Sequence, residues 1–240
     1  LEFAIPFFNS PYNKINHAKI SITFTLITLI LNLFGAIGIL KAVDFVTIHN
    51  FGLLNIIETP LWLYVLIGLV LMDLIGAWFI HWIQHNVRWM WKFHIIHHSD
   101  PNVDVTSGLR HHPGENIFRL CFTILAILIS GANFGLVMIY QTVSVFFAHF
   151  SHANIRLPEK IEYFISFIFV TPRFHRIHHH FMQPHTDSNY GNIFSFWDYI
   201  FKTKKDFKNS KKIRYGVDTH MDKEEISSLI NLLTIPFQPY

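Results

Sequence analysis

Charge is scarce in this chain. Only 15% of its 240 residues are Asp, Glu, Lys or Arg, whereas a soluble domain carries about 25%. With 51% hydrophobic residues, 25 Phe and a positive mean hydropathy, the shortage of charge points away from a soluble protein and towards an integral membrane protein. Cysteine is scarcer still. Cys121 is the single one, so no internal disulfide can form and no CxxC metal or redox motif exists. The net charge of +3 is small, and no nucleic-acid partner is expected. Internal repeats and low-complexity segments are missing as well.

Long apolar runs, in contrast, are plentiful. Residues 20–40 contain no charge and match the roughly 20 residues of a bilayer-crossing helix. A signal-peptide core would be shorter and followed by a small-residue cleavage site. Residues 61–80 carry one charge, Asp73, with Thr59 and Pro60 read as N-cap and first helical position. Residues 120–148 are uncharged but interrupted by Gly131, Ala132 and Asn133. One straight helix of that length would overshoot the bilayer, so the segment predicts a hairpin of two tilted helices from near Pro113 to near His152. Leu1–Phe8 is apolar and reads as the tail of a helix.

Two hairpins put the N-terminus, residues 81–116 and everything after about 150 on one face. Of 19 Lys and Arg residues only Lys41 falls on the other, which assigns the first face to the cytoplasm. The expected fold class is therefore all-α: a multi-pass integral membrane helical protein with about four transmembrane helices and a cytoplasmic histidine-rich helical cap. Residues 1–240 form a single domain in this reading. It comprises a first helical hairpin (1–80), a first cap segment (81–116), a second hairpin (117–152), and a second cap segment with the tail (153–240).

Histidine is abundant, with 17 in the chain, and most are clustered. His81 and His85 are spaced H-x3-H; His94, His97 and His98 are spaced H-x2-H-H, as are His175, His178 and His179. On a helix, residues i, i+3 and i+4 share a face, so each cluster is a rigid chelator, and imidazole suits iron, zinc, copper and nickel. Eight imidazoles are too many for one ion and about right for two. Asn86 is expected to cap the second of these helices and Pro101 to stop it, while Thr171 and Pro172 start the third. Lone histidines are usually ordinary polar residues, and His17, His49 and His220 are placed in that class. His180 points about 100° off its cluster's face; His111 and His185 are ambiguous. Carboxylates Asp73, Asp100, Asp104, Glu115 and Asp187 are candidates for orienting imidazole N–H groups. Asp73 is the most telling, since a charge inside a span usually has a buried partner.

Six stretches carry a resemblance: M-D-L-I-G-A-W-F-I-H-W-I-Q-H (72–85), W-K-F-H-I-I-H-H-S-D (91–100), R-H-H-P-G-E (110–115), H-A-N (152–154), T-P-R-F-H-R-I-H-H-H (171–180) and T-D-S-N-Y-G-N-I-F-S-F-W-D (186–198). The chain resembles the fatty acid hydroxylase and sterol desaturase superfamily of membrane di-iron oxygenases, most closely over residues 70–203. The resemblance implies that the clusters bind two iron ions, adds His112 and His152 as ninth and tenth ligands, and makes O2 the co-substrate. It implies O2-dependent hydroxylation or desaturation of a lipid, whether sterol, fatty acyl or related chain. Zinc in recombinant material would be compatible, because zinc readily occupies imidazole sites. Where the family often has Phe-Gly-Thr, this chain has Phe201, Lys202 and Thr203. His149 sits one helical turn before His152, where no family histidine is expected.

The His-Pro-Gly of His112–Gly114 is like a cytochrome b5 haem motif, but between a metal cluster and a span it leaves no room for a haem domain. No haem is expected in the chain. Electrons must come from a separate donor of cytochrome b5, ferredoxin or reductase type. The seven basic residues of Lys202–Arg214 read first as a solvated face, and otherwise as a surface for anionic lipid or an acidic donor. Residues 161–170 are too short to span and read as interfacial or re-entrant; residues 226–237 pack on the cap or lie at the interface. The rival reading is a histidine-rich membrane metal carrier or transporter without oxidase activity. It would need polar ligands within the spans, and apart from Asp73 these offer scattered Ser, Thr and Asn.

Overall fold

Four helical segments are long and apolar enough to cross a membrane: Lys14–Asn55, Leu61–Asn86, Pro113–Ser130 and Phe134–His152. A computed structural model describes residues 1–9, 11–206 and 213–238. Among these there are helices and three isolated β-bridges but no named strand. The protein is an all-α, multi-pass membrane protein, and large apolar side chains such as Leu33, Phe34 and Phe146 stand exposed along the spans.

Helix α1 (Lys14–His49) is longer than the apolar run suggested. At 36 residues it measures about 54 Å, well beyond the roughly 30 Å hydrocarbon thickness. Asn13 caps its start by accepting from Asn16 N–H, and Asn50, at φ 49°, ends it. Residues 41–49, beyond the uncharged run, are thus helical as well. Helix α2 (Leu61–Asp73) begins one residue later than expected, with Pro60 at the cap position. It passes into a π-helical turn (Leu74–Phe79) and then into α3 (Ile80–Asn86). The π turn widens the helix and shifts the angular relation between Asp73 and His81, which an uninterrupted helix would have fixed. Helix α4 (Arg88–His98) follows at once, with Val87 rather than Asn86 at its cap position. The Asn86 amide donates instead to Trp82 O.

The second hairpin has the predicted limits. Helix α5 (Pro113–Ser130) carries Pro113 in its first turn and ends at Gly131, whose φ of 78° suits glycine. Asn133 caps α6 (Phe134–His152) by accepting from Leu136 N–H. Helices α1 and α5 approach closely at Gly35, where a Cβ would sit 2.6 Å from Leu120 Cδ2. A core of Met72, Trp78, Leu136, Tyr140, Tyr190, Ile193 and Trp197 joins the spans to the cap.

The cap is completed by α7 (Glu159–Ile165), α8 (Pro172–His178), α9 (Phe196–Ile200), α10 (Lys223–Ser227) and α11 (Leu229–Thr234). Thr171 caps α8 by accepting from Phe174 N–H, as expected. Residues 226–237 pack on the cap: Leu232 and Ile235 bury against Ile95, Ile96 and Phe24. The buried Arg110 guanidinium tethers the tail to α4 through Ile226 O and Ile96 O, both at 3.0 Å. Residues 1–8 are not the end of a helix. They run in turns across the cap, with Pro6 bridged to Ile155 and Phe8 N–H donating to Asn154 Oδ1. Of the basic stretch 202–214, Lys208, Lys211 and Lys212 lie outside the described residues.

Candidate metal centre

The three helical histidine clusters converge on one buried region, sorted into two groups. His81, His85, His94, His98 and His178 form the first, and His97, His152, His175 and His179 the second. Within each group the nitrogens lie within 4.8 Å of one another. The groups adjoin: the rings of His98 and His179 stack with centroids 4.6 Å apart. Each H-x2-H-H helix contributes to both groups, because i and i+3 or i+4 diverge slightly around the helix. His94 and His98 of α4 face the first group while His97 faces the second; in and just after α8, His178 faces the first and His175 and His179 the second.

The spacing inside the groups suits metal ions. In the second, Nε2–Nε2 separations are 3.0 Å for His97–His152, 3.1 Å for His152–His175 and 3.2 Å for His175–His179. Ligand nitrogens about 2.0–2.1 Å from one ion are about 2.9–3.4 Å from each other. In the first group His81 Nε2 and His94 Nε2 are 3.1 Å apart.

Outer partners fix the rings. His81 Nδ1–H donates to Tyr190 O at 2.8 Å, His178 Nδ1–H to Ser188 O at 2.6 Å and His152 Nδ1–H to Ala148 O at 2.6 Å. His85 Nδ1–H donates to Asp187 Oδ1 at 3.0 Å and His94 Nδ1–H to Glu115 Oε1 at 2.9 Å. With Nδ1 protonated, each Nε2 presents a lone pair to the group's centre. His85 Nε2 and His178 Nε2 are buried and meet no hydrogen-bond partner, as expected of atoms built to meet an ion. Burial, reinforced by neighbouring imidazoles, holds His97, His98, His175, His178 and His179 well below the usual histidine range. It also lowers His94 to about 3 against the pull of Glu115. These rings are therefore neutral, the form that binds metal. The donor set fits two ions.

His112 is not brought to either group. It caps α5, with Nδ1 accepting from Gly114 N–H at 2.9 Å and Nε2–H donating to Leu233 O at 3.3 Å. Its neighbour His111 comes near instead, stacked on His97 with centroids 4.4 Å apart and donating to Glu115 at 3.0 Å. His94, His111 and Glu115 make a third set of converging donor atoms, but Arg119 Nε already donates to the same Glu115 oxygen at 2.8 Å, so a cation is present there.

The carboxylates divide. Glu115 and Asp187 orient imidazoles. Asp73 does not: its two oxygens accept from Ile193 N–H, Phe194 N–H and Trp197 Nε1–H at 3.1–3.2 Å. It fastens the loop that follows the third cluster to the second span. Asp100 and Asp104 also bind no cluster histidine. Both pair with His17 of α1, at 2.8 and 3.3 Å, and Asp104 accepts from Tyr12 as well. His17, read as an ordinary polar residue, is the partner of a fully buried carboxylate. Burial pushes Asp100 up, but the His17 bonds outweigh it and leave the carboxyl well below its usual range. His149 donates to Val105 O at 3.0 Å, and His180 lies outside both groups, its Nδ1 accepting from Met182 N–H. The carbonyl partners of His81, His152 and His178 are backbone atoms, for which a sequence carries no side-chain signal.

Comparison with known proteins agrees with this geometry. The fatty acid hydroxylase family model matches residues 65–203. The chain is 27% identical over 146 residues to an ornithine lipid hydroxylase of Rhizobium tropici, covering 61% of this chain and 43% of that protein. It is 30% identical over 146 residues to the alkylglycerol monooxygenase of Xenopus tropicalis, covering 60% and 31%. To a methylsterol monooxygenase of Arabidopsis thaliana it is 24% identical over 192 residues, covering 79% and 64%. The chain thus spans less than two thirds of each relative's own length. No solved structure matches it. The matched segment runs from the second span through both H-x2-H-H clusters and takes in all nine histidines of the two groups, and the chain belongs to the fatty acid hydroxylase family.

Proposed function

We propose that this chain holds two iron ions, one in each histidine group, and uses them with O2 to hydroxylate or desaturate a membrane lipid. The observation that carries this reading is the pairing of two adjoining all-imidazole groups, with the Nε2 atoms of His85, His98 and His178 in the first buried and without a hydrogen-bond partner. The activities for which the relatives are named, on ornithine lipids, alkylglycerols and methylsterols, support a lipid substrate. When bound, the irons supply an oxidant able to take hydrogen from an unactivated C–H bond.

The protein's own part is positioning and exclusion. His81, His85, His94, His98 and His178 would hold one ion, and His97, His152, His175 and His179 the other. Glu115 and Asp187 keep His94 and His85 in the required tautomer. Tyr190 O, Ser188 O and Ala148 O do the same for His81, His178 and His152. The cap shields the site from water: His94, His98, His178 and His179 have no exposed surface. A substrate chain rising from the bilayer presents one carbon to this site. The product is an alcohol if the carbon takes up oxygen, or an alkene if a second hydrogen leaves. Residues 1–240 act as a single membrane domain with the histidine cap on the cytoplasmic face, where a separate electron donor docks.

The decisive experiment compares lipids of membranes with and without active protein, seeking a gain of one oxygen or a loss of two hydrogens. Iron-loaded, reduced protein should consume O2 faster when that lipid is present. Equal turnover by zinc-loaded protein would overturn redox chemistry at this centre. Metal flux across vesicles without O2 use would favour a carrier.

A further inference from the structure

Arg119 is the one Lys or Arg in the second, third and fourth spans. It lies about 9 Å along the α5 axis from Pro113. A charge within a span is costly and by default marks a functional site.

Arg119 faces the bundle interior and not the lipid. Residues four and seven apart share a helix face, and on that face Glu115, Thr123 and Ala126 are 0%, 8% and 0% exposed. Ala126 meets Tyr140 of α6 at the π turn: a Cβ on Gly76 would sit 3.0 Å from Tyr140 Oη and 3.6 Å from Ala126 Cβ. Arg119, on the same buried stripe, nonetheless keeps 28% of its side chain exposed. Helix α5 packs on α1, α2 and the π turn, and α6 on α2 and α8, with little contact between the two. A cleft is left between them towards the cap, and the guanidinium stands in it. Side chains on a helix lean towards its N-terminus, here the cap end, so the charge sits near headgroup depth and away from the bilayer centre.

One edge of this guanidinium is unused. Its five N–H groups form a fixed fork. Nε–H donates to Glu115 Oε1 at 2.8 Å, and among the described residues Nη1 and Nη2 donate to no acceptor. The end-on edge that remains is a pair of parallel N–H groups, the geometry that takes both oxygens of a carboxylate or phosphate. Glu115 Oε1 also accepts from His94 and His111, so its charge offsets the guanidinium only in part. The positive charge is felt by His81, His85 and His94 of the first metal group and by His175 of the second. One carboxylate and one imidazole ring separate the free edge from the first group's centre.

Resting on the lipid-oxidising reading above, we propose that Arg119 binds the oxyanion, carboxylate or phosphate, of a lipid headgroup that enters the cleft between α5 and α6. Glu115 keeps the fork aimed, and the Nη1–Nη2 edge grips the headgroup beside the metal centre. The lipid tail gains little on leaving the bilayer, because the surrounding tails are as apolar as the bundle. Preference among lipids of equal chain length therefore rests on the headgroup charge.

The test measures equilibrium binding to zinc-loaded protein in a neutral maltoside detergent, which needs no turnover. The probes share one chain: tetradecyl phosphate, tetradecanoate and tetradecanol. The parent protein should bind both anions about tenfold or more tightly than the alcohol. Arg119→Gln should weaken the anions about 10–100-fold and leave the alcohol unchanged. Arg119→Lys keeps a charge beside Glu115 but loses the fork, so it should retain part of the preference; should Arg119→Gln fail to fold, the lowered preference in Arg119→Lys decides. A structural role would weaken all three probes together, and anions held by the metal itself would keep their preference in both variants. An unchanged ratio of anion to alcohol in the variants therefore overturns the proposal, as does a parent protein that binds the alcohol as tightly as the anions. Inorganic phosphate should not displace tetradecyl phosphate; displacement would assign the site to a free anion and overturn the lipid headgroup. Anion-selective binding without any O2-dependent product would sink the oxidase reading and spare the Arg119 site. Preferred oxidation of neutral lipid by iron-loaded protein would do the reverse.

Discussion

His81 and His94 face each other with their Nε2 atoms 3.1 Å apart, and each has already committed its Nδ1–H to an oxygen, Tyr190 O and Glu115 Oε1. Two lone pairs therefore point at one another in a dry interior. Such a contact is repulsive unless a cation lies between them, and burial disfavours a proton on His94. A metal ion is the cation that the rest of the donor set accommodates.

The two groups should be separable by mutation. His178→Ala removes a donor from the first group and His97→Ala one from the second. Each variant is expected to lose metal from its own group, retain it in the other, and lose turnover. Metal analysis by mass spectrometry alongside product assay checks this. Full activity in either variant would remove the two-ion model.

Glu115→Gln tests the outer partners. The substitution keeps the shape but removes the charge that holds His94, His111 and Arg119 together. Metal affinity should fall about 10–100-fold, measured by competition with a chelator. Unchanged affinity would mean that His94 needs no help from the carboxylate.

Asp73→Ala should act on stability. It leaves Ile193 N–H, Phe194 N–H and Trp197 Nε1–H buried without their acceptor, and each orphaned donor costs about 1–3 kcal/mol. Unfolding in detergent should occur at lower temperature, and hydrogen exchange should quicken across residues 190–198. Loss of metal with no change in either measurement would point to a direct role at the centre.

Lys202 offers a gain. It sits at φ 59°, a left-handed conformation that costs a side-chain-bearing residue about 1–2 kcal/mol, and glycine's entropy offsets about half of this. Lys202→Gly should be neutral to stabilising by up to about 1 kcal/mol, and Lys202→Val destabilising, as read from melting temperatures. The glycine that the resemblance implies at this place would have its physical reason in that backbone angle.

Much of this was legible in the sequence because it depends on local periodicity. The i, i+3, i+4 spacing of His94, His97 and His98 presents their rings along one face whatever the rest of the chain does. Pro113, Gly131 and Asn133 mark the second hairpin by their own backbone preferences. The length of α1 was less legible, since residues 41–49 look like a linker once the uncharged run ends, yet nothing in them breaks a helix. The π turn of Leu74–Phe79 left no sequence signal, and with it went the expectation that Asp73 served an imidazole.

The sequence by itself determined that the chain is a multi-pass helical membrane protein and that three histidine clusters sit at chelating spacing on helices, because those follow from side-chain chemistry, helix period and apolar length. Tertiary structure decided how the histidines divide into two groups, that His111 rather than His112 approaches them, and that Asp100 answers to His17. These depend on where distant segments meet. Pairs 83 residues apart, such as His17 and Asp100, or 120, such as Asp73 and Ile193, are joined by packing of the spans, and no local pattern encodes that distance.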